Sequence, residues 1–451
     1  MPRGSKVSEA RLVTLILSIA LLQSACGDRR DAPPPNFVLI SLDTLRPDTL
    51  GCYGSARALT PTLDAVCSEG TVFDRAVANA PWTLPSHVSL LTGRYPRNHG
   101  VKNVGKQVPD NVPMLQEVLA EAGYVTAAII GSPKLGPRYG LDRGFQQGAE
   151  HPPGAGRAAP QQIEQAIGWM SAQQQAGRPF FLFFHNFDAH TDYDPADATR
   201  ERLVSPYRGE QRGAGAQLLA LREANGHLQP PDIQFLRQLY EAGVHDLDAD
   251  LAPLFAFLSD PAVAEDTVVF VTSDHGEEFY EHGSVLHGVK MHRETLRIPL
   301  IAWGRGIPAG QRVSGLVQLS DLLPTLLDLS GLPAVSAVDG ISLAPAFAGE
   351  GLPRRYAFAE ADWRGDTLDT FRMVRDERSK LIFNRVTGDV SLFDLENDPE
   401  EQHDIAEDEP ERVARMMEPL QRYLGNERTA PDRPPLTPDE IETLRALGYV
   451  E

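Results

Sequence analysis

The sequence predicts an α/β fold: a mainly parallel central sheet flanked by helices, followed by a small antiparallel C-terminal subdomain. Three observations predict it. Five segments are apolar and β-branched without alternation, as in strands buried on both faces. Segments with apolar residues at helical spacing lie between them, as in a sheet joined by crossover helices. Beyond about Gly351 the runs become short and alternating, separated by turn residues such as Thr387-Gly388-Asp389.

The elements follow in chain order. Arg3, Lys6 and Arg11 precede the apolar run Leu12–Leu22, which is too short for a mature membrane span and suits a signal-peptide core. Ser24 and Ala25 ahead of Cys26 resemble a bacterial lipoprotein cleavage site, although Gln23 stands where an aliphatic residue is usual. Residues 1–26 therefore read as signal peptide and lipoprotein anchor, and 27–35 as a Pro-rich linker. Residues 36–345 form the main domain, and 346–451 the C-terminal subdomain and tail.

Strands are expected in "NFVLISLDT" after Pro35, and at Tyr124–Ile130, Pro179–His185, Thr267–Ser273 and Ile298–Trp303. Helices are expected at Val112–Gly123, Gln161–Gln174 and Ile233–Leu258. Loops are expected from about Glu150 to Gln161 and from about Asp192 to Gln217, bordering a site and setting its specificity.

Composition narrows the function. A net charge of −20 argues against nucleic acid, whose binding needs clustered Lys and Arg. An anionic substrate would need a local positive centre such as a metal. The membrane is reached only through a lipid anchor at Cys26, which places the mature chain on the periplasmic side or surface of a cell envelope. Cys52 and Cys67 are permitted, though not required, to form a disulfide there.

Several expected strands end in metal-competent residues. The first gives Asp43, the third His185, Asp188 and His190, and the fourth Asp274 and His275. Ligands bind outside the carboxyl ends of strands in open α/β sheets, so Asp43, Asp274 and His275 can converge. Two carboxylates and an imidazole suit one divalent cation: Ca, Mn, Mg or Zn. Each residue alone has a plainer reading, as a helix cap, a core histidine or a turn; their joint occurrence at strand ends points to a site.

Thr83 in "APWTLPSHVSLLTG" (Ala80–Gly93) precedes Pro85, which fits the first turn of a helix that Gly93 would stop. Thr83 could simply cap that helix, an effect of about 1 kcal/mol. The same position would also set its hydroxyl at a helix N-terminus, facing a bound anion. A hydroxyl on a divalent metal there could attack phosphorus or sulfur.

These motifs resemble the sulfatase family, within the wider alkaline phosphatase superfamily. The resemblance runs through "PNFVLISLDTLRPDTLGCYG", "APWTLPSHVSLLTGRYPRNHGV", "FFHNFDAH", "VVFVTSDHGEEFYEHGSVLHG" and "LRIPLI", and covers almost everything after the anchor. It implies a hydrolase of sulfate or phosphate esters with a metal held by Asp43, Asp274, His275 and the nucleophile position, Thr83. It implies contacts to the substrate and its leaving group from His190 and His287. His282, Arg46, His99 and Lys290 are nearby candidates for substrate binding, and His87 for catalysis.

Departures from the family pattern matter. Sulfatases of the usual type carry Cys or Ser, converted to formylglycine, where this chain has Thr83. Oxidising a threonine would give a ketone, so a covalent sulfate would have to be displaced by water. His87 stands for the usual Arg, and Thr44 for the usual second Asp. Lys134 is the one cation after the second expected strand. Metal-bound threonine also resembles phosphodiesterases and phosphoethanolamine transferases of the superfamily. The alternatives are therefore a transferase passing a phospho-group to envelope glycan or lipid, and a catalytically silent binding protein of the same fold.

Overall fold

The computed structural model describes residues 33–151, 157–362, 370–425, 428–433, 435, 437 and 438. The expected signal and anchor segment 1–26, and the linker as far as residue 32, lie outside the described residues.

The central sheet is built on β1 (Asn36–Leu42), β2 (Thr71–Val77), β3 (Val125–Ile130), β4 (Gln147–Glu150), β5 (Phe180–Asn186) and β6 (Thr267–Thr272). The hairpin β7 (Glu278–Phe279) and β8 (Val285–Leu286) forms a separate two-stranded ribbon. The short β9 (Arg297–Ile298), with β10 (Leu300–Gly304) and β11 (Gln311–Gln318), completes the central sheet. Its order is β11-β2-β10-β6-β1-β5-β3-β4, with β9 paired to β2. β1 lies between β5 and β6 and runs parallel to both.

The run "NFVLISL" explains why β1 is central. Phe37 and Leu39 enter one core cluster, while Val38, Ile40 and Leu42 enter the cluster on the opposite face. A strand buried on both faces has no polar side to show water. The helices Ala159–Gln175 and Pro230–Leu258 cover one of those faces, each beginning close to its expected start.

The structure corrects three readings. The expected strand Ile298–Trp303 is broken at Pro299, which cannot donate to a ladder, and β10 runs antiparallel to β6. The expected loop Asp192–Gln217 contains the helix Asp197–Leu203 and the start of the helix Gly215–Glu223. The first is held by tertiary contacts: Asp246 of the long helix accepts bonds from Ala196 N–H (2.7 Å) and Thr199 Oγ1 (2.6 Å). The expected loop Glu150–Gln161 gives way to helix from Ala159. Cys52 and Cys67 form a disulfide.

The antiparallel C-terminal meander is present as β12 (Ala357–Asp362), β13 (Thr370–Arg375), β14 (Ser379–Asn384) and β15 (Val390–Asp394). The amphipathic helix Pro410–Leu424 packs Met416, Leu420 and Tyr423 against Val374, Leu381 and Leu392 of that sheet.

A buried carboxylate ties this sheet to the rest of the fold. Glu360 pairs with Lys102 Nζ at 2.6 Å and Arg372 Nε at 3.2 Å, and accepts the Arg97 N–H at 2.7 Å. Burial pushes its carboxyl up, but Lys102 and Arg372 outweigh that and hold it down at about 2. A depressed carboxyl contributes stability that is complete above its ordinary value near 4.5 and is lost as pH falls through about 2. We therefore expect acid to remove about 3 kcal/mol through this one group. Denaturant midpoints of the parent and Glu360→Gln, compared between pH 7 and pH 2, check this. The gap between the two proteins should shrink towards low pH; a constant gap would overturn the assignment.

Candidate active site

Three adjacent parallel strands end at one place. Asp43 follows β1, His185 lies in β5 opposite Ser41 of β1, and Asp274 and His275 follow β6. All four side chains are fully buried. Thr44, directly after Asp43, takes φ 59°, an unfavoured conformation for a β-branched residue. Its backbone N–H donates to Asp274 Oδ1 at 3.4 Å. At the position where the family pattern expects a second Asp, the backbone of Thr44 serves the site.

Each carboxylate is half satisfied. Asp43 Oδ2 lies 3.2 Å from His185 Nε2 and accepts from Thr83 Oγ1 at 3.4 Å, whereas Asp43 Oδ1 has no hydrogen-bond partner among the described residues. Asp274 Oδ1 accepts from the Thr44 and His275 N–H groups, whereas its Oδ2 has no hydrogen-bond partner among the described residues. The two orphaned oxygens converge on His275 Nε2, at 3.6 Å from Asp43 Oδ1 and 3.2 Å from Asp274 Oδ2. His275 Nδ1 donates to the Gly276 carbonyl at 2.9 Å, which turns Nε2 into the cluster. Without a cation, burial lowers the His275 pKa, but Asp274 outweighs it and raises it to about 9.

Buried oxygens without donors are costly, and two facing carboxylates repel. A divalent cation removes both costs, so Asp43, Asp274 and His275 fit one as ligands; their ligand atoms lie within 4.8 Å of one another.

Thr83 opens the helix Thr83–Thr92, every residue of which is buried. Thr83 lies inside the first turn, one residue past the N-cap Trp82, and its hydroxyl faces Asp43 Oδ2 and His275 Nε2, each at 3.4 Å. It is not the helix cap.

His87 follows one turn later. Its Nδ1 donates to the Thr83 carbonyl at 2.8 Å, and its Nε2 accepts from Ser41 Oγ at 2.9 Å. Burial pushes its pKa down to about 4. The structure therefore makes His87, which stands where the family pattern has an Arg, a neutral brace under Thr83.

On the other side of the cluster, the ring of His287 lies 4.3 Å from that of His275 and 4.9 Å from that of His190. His287 Nδ1 is 2.8 Å from Glu277 Oε1. Burial pushes Glu277 up to about 8 and His287 well down. The pair thus shares one proton with no net charge. With that proton on either partner, His287 Nε2 keeps a hydrogen to give away. His190 stacks on Phe187 at 4.0 Å and donates Nδ1–H to the Thr191 carbonyl at 2.8 Å. Lys134 is fully buried; burial pushes its ammonium well down, while Asp43 and Asp274 pull the other way.

Other expected residues fall outside this cluster. Arg46 is taken up by Asp48 (2.8 Å), Glu281 (2.6 Å) and the Glu277 carbonyl (2.7 Å). His282 holds Glu294 at 2.7 Å through Nδ1 and the Glu401 carbonyl at 2.8 Å through Nε2. With both ring nitrogens on acceptors it is an imidazolium brace. His99 lies behind the Thr83 helix, bonded to Ser89 Oγ at 3.1 Å. Asp188 caps the helix Ala159–Gln175 through the Ala158 and Ala159 N–H groups. Lys290 lines a cavity beside His287.

Comparison with known proteins fixes the family. Residues 35–332 match the family model "Sulfatase". The chain belongs to the sulfatase family. A second model, "N-sulphoglucosamine sulphohydrolase, C-terminal", matches residues 281–429. The chain is 30% identical to human N-acetylgalactosamine-6-sulfatase over 374 residues, covering 74% of this chain and 69% of that protein. It is 25% identical to Delta 4,5-hexuronate-2-O-sulfatase of Bacteroides thetaiotaomicron, over 85% of this chain and 87% of the relative. Among solved structures, phosphonate monoester hydrolase of Agrobacterium radiobacter shares the fold with a TM-score of 0.72. It is 23% identical, and the match covers 86% of this chain and 95% of that one.

The chain is thus a sulfuric ester hydrolase-like enzyme, of a family that is metal-dependent in general. His185 is the residue of this sulfatase that sequence reasoning noticed without giving it a role. The Gly131 N–H donates to its Nδ1 at 3.3 Å, which leaves its proton on Nε2, facing Asp43. Its position at the end of a both-faces-buried strand beside β1 was the available signal.

Proposed function

We propose that this sulfatase hydrolyses an anionic sulfate ester outside the cytoplasm, with Thr83 as nucleophile and one divalent cation held by Asp43, Asp274 and His275. One observation carries the reading: the Thr83 hydroxyl points at the orphaned-carboxylate cluster instead of capping its own helix. A bound cation would lower the pKa of that hydroxyl and offset the charge of the ester. The protein supplies the rest. Asp43 Oδ2 and the rigid helix orient Thr83 Oγ1; His287, set by Glu277, faces the site with a proton on Nε2.

With its proton already released to solvent, the Thr83 Oγ1 oxyanion attacks sulfur, the bond from sulfur to the leaving alcohol breaks, and His287 Nε2 protonates the departing oxygen. Water then attacks the same sulfur and returns its proton to His287. Sulfate leaves and Thr83 is restored. No formylglycine is required on this route.

Location outside the cytoplasm rests on the N-terminal segment through Cys26, and the Cys52–Cys67 disulfide supports it. A second reading is favoured by Thr83 itself, since an unmodified hydroxyl suits phosphoryl transfer to water. The substrate would then be a phosphodiester or phosphonate ester.

The test is turnover of aryl sulfate, aryl phosphate monoester, aryl phosphodiester and aryl phosphonate by the purified chain, with Ca, Mg, Mn or Zn. We expect cation-dependent turnover, with sulfate preferred. Preference for a phosphorus ester would select the second reading. No turnover of any ester, with cation bound, would overturn both in favour of a transferase or a binding protein.

A further inference from the structure

A cavity of about 260 Å³ borders the far end of the Thr83 helix through Leu91. With Leu91, the side chains of Ile130, Leu135 and Phe183 give it a buried apolar floor. Its rim is different: Pro137, Asp142 and Glu150 are exposed. The Asp142 and Glu150 carboxylates make no hydrogen bond or ion pair among the described residues. Glu150 belongs to β4, the last strand of the central sheet, so the cavity opens at a sheet edge. The floor reaches the site, because Leu135 follows Lys134 and the Phe183 ring meets that of His87 edge-on at 5.8 Å. An apolar hollow with two unpaired acids on its rim suits an occupant with aliphatic side chains and a cation.

The chain itself is led to this rim. Beyond the helix Pro410–Leu424 it returns to the main domain as a strap. The Arg428 N–H donates to the Arg97 carbonyl at 2.8 Å, and the Arg433 N–H to the Gly105 carbonyl at 3.0 Å. The Gln107 N–H donates to the Pro431 carbonyl at 3.2 Å, and Arg138 Nη1 to the Pro435 carbonyl at 2.8 Å. The strap lies so close that a Cβ on Gly100, at φ 77°, would meet Ala430 N at 2.4 Å. It therefore ends beside Arg138, the neighbour of the rim residue Pro137. Residues 439–451 lie outside the described residues, but their sequence is informative. Thr437-Pro438-Asp439-Glu440 has the pattern of a capping box with proline at the first helical position. Ile441, Leu444 and Leu447 then recur at helical spacing, and Gly448 follows as a stop. Arg445, next to Leu444, is the one cation of this segment. Ten residues of helix span about 15 Å, enough to cross the cavity.

We infer that the C-terminal segment 439–451 docks on this cavity as an amphipathic helix, seating Ile441, Leu444 and Leu447 on the apolar floor and Arg445 against Asp142 and Glu150. The strap holds the segment at the rim, so this occupant is present at a high effective concentration that a separate partner must overcome. Docked there, it backs the wall formed by Leu91 of the Thr83 helix, Leu135 and Phe183. The inference is independent of which ester is cleaved.

Amide hydrogen exchange on the full chain tests it, read by mass spectrometry at two protein concentrations. In the parent, the amides of residues 441–447 should exchange about tenfold or more slowly than in an isolated peptide of that sequence, which is too short to hold a helix alone. Leu444→Asp should abolish that protection and speed exchange in β4 about tenfold, with the rest of the sheet unchanged. Arg445→Glu should weaken the protection about threefold, the effect of an exposed ion pair, and adding Glu150→Lys should restore it. Unprotected tail amides in the parent overturn the inference. So does a β4 that Leu444→Asp leaves unchanged, which would seat the tail elsewhere and leave the cavity to another partner. Protection that falls on dilution would assign the cavity to the tail of a second copy and overturn docking within one chain.

Discussion

Thr83→Ala is expected to lower kcat by about 10⁴-fold or more, as loss of a covalent nucleophile does. The variant should fold, because among the described residues the Thr83 hydroxyl makes only two long hydrogen bonds of 3.4 Å, and Pro85, Ser86 and His87 keep the helix in place. Thr83→Ser retains the attacking oxygen and should keep most of the activity. This contrast separates nucleophile from structural residue: a buried threonine with only a packing role would give similar losses in both variants. Rapid-mixing kinetics should also show a covalent adduct of the parent at Thr83, detectable by mass on the intact protein and absent in Thr83→Ala. Activity of the alanine variant within tenfold of the parent would falsify the assignment.

Asp274→Asn should uncouple stability from the cation. The parent is expected to gain about 2.7 kcal/mol when a bound cation is present at a hundred times its Kd. The variant should gain less than about 1 kcal/mol at the same concentration, because one anionic ligand oxygen is gone. In chelated buffer the Asn variant should still be the less stable protein. Without a cation, burial and the repulsion of Asp43 push the Asp274 carboxyl up, but His275, whose Nε2 lies 3.2 Å from its Oδ2, outweighs them and holds it below its ordinary range. The amide would leave that imidazolium short of its partner. Thermal melts with and without chelator read both effects. A parent indifferent to Ca, Mg, Mn and Zn would sink the cation site, and a variant stabilised as much as the parent would remove Asp274 from it.

The site was partly legible because its residues close both-faces-buried strands. Asp43, Asp274 and His275 are set by strand order and by the rule that ligands gather at carboxyl ends. His287 could be suspected only through family resemblance, since nothing in its local sequence predicts the Glu277 contact ten residues away. Arg46, His282 and His99 share the motif stretches, yet their side chains turn to ion pairs, a carbonyl and a serine hydroxyl outside the cluster. Chain proximity fixes neither the direction of a side chain nor the tautomer of a ring. The role of His87 turned on burial, which sequence spacing does not report.

The sequence by itself determined the layers. Apolar runs without alternation had to be strands buried on both faces, helical spacing had to cover them, and alternation late in the chain had to give an antiparallel sheet. It also determined the departure at Thr83, because residue identity needs no coordinates. Only the tertiary structure decided that β1 lies between β5 and β6, that β10 runs antiparallel, and that Asp43 Oδ1 and Asp274 Oδ2 face His275 with no hydrogen-bond partner of their own. The physical reason is range. Periodicity records how each segment meets a hydrophobic interior, whereas a site depends on distances between atoms brought together from distant segments, such as Asp43 and Asp274, 231 residues apart.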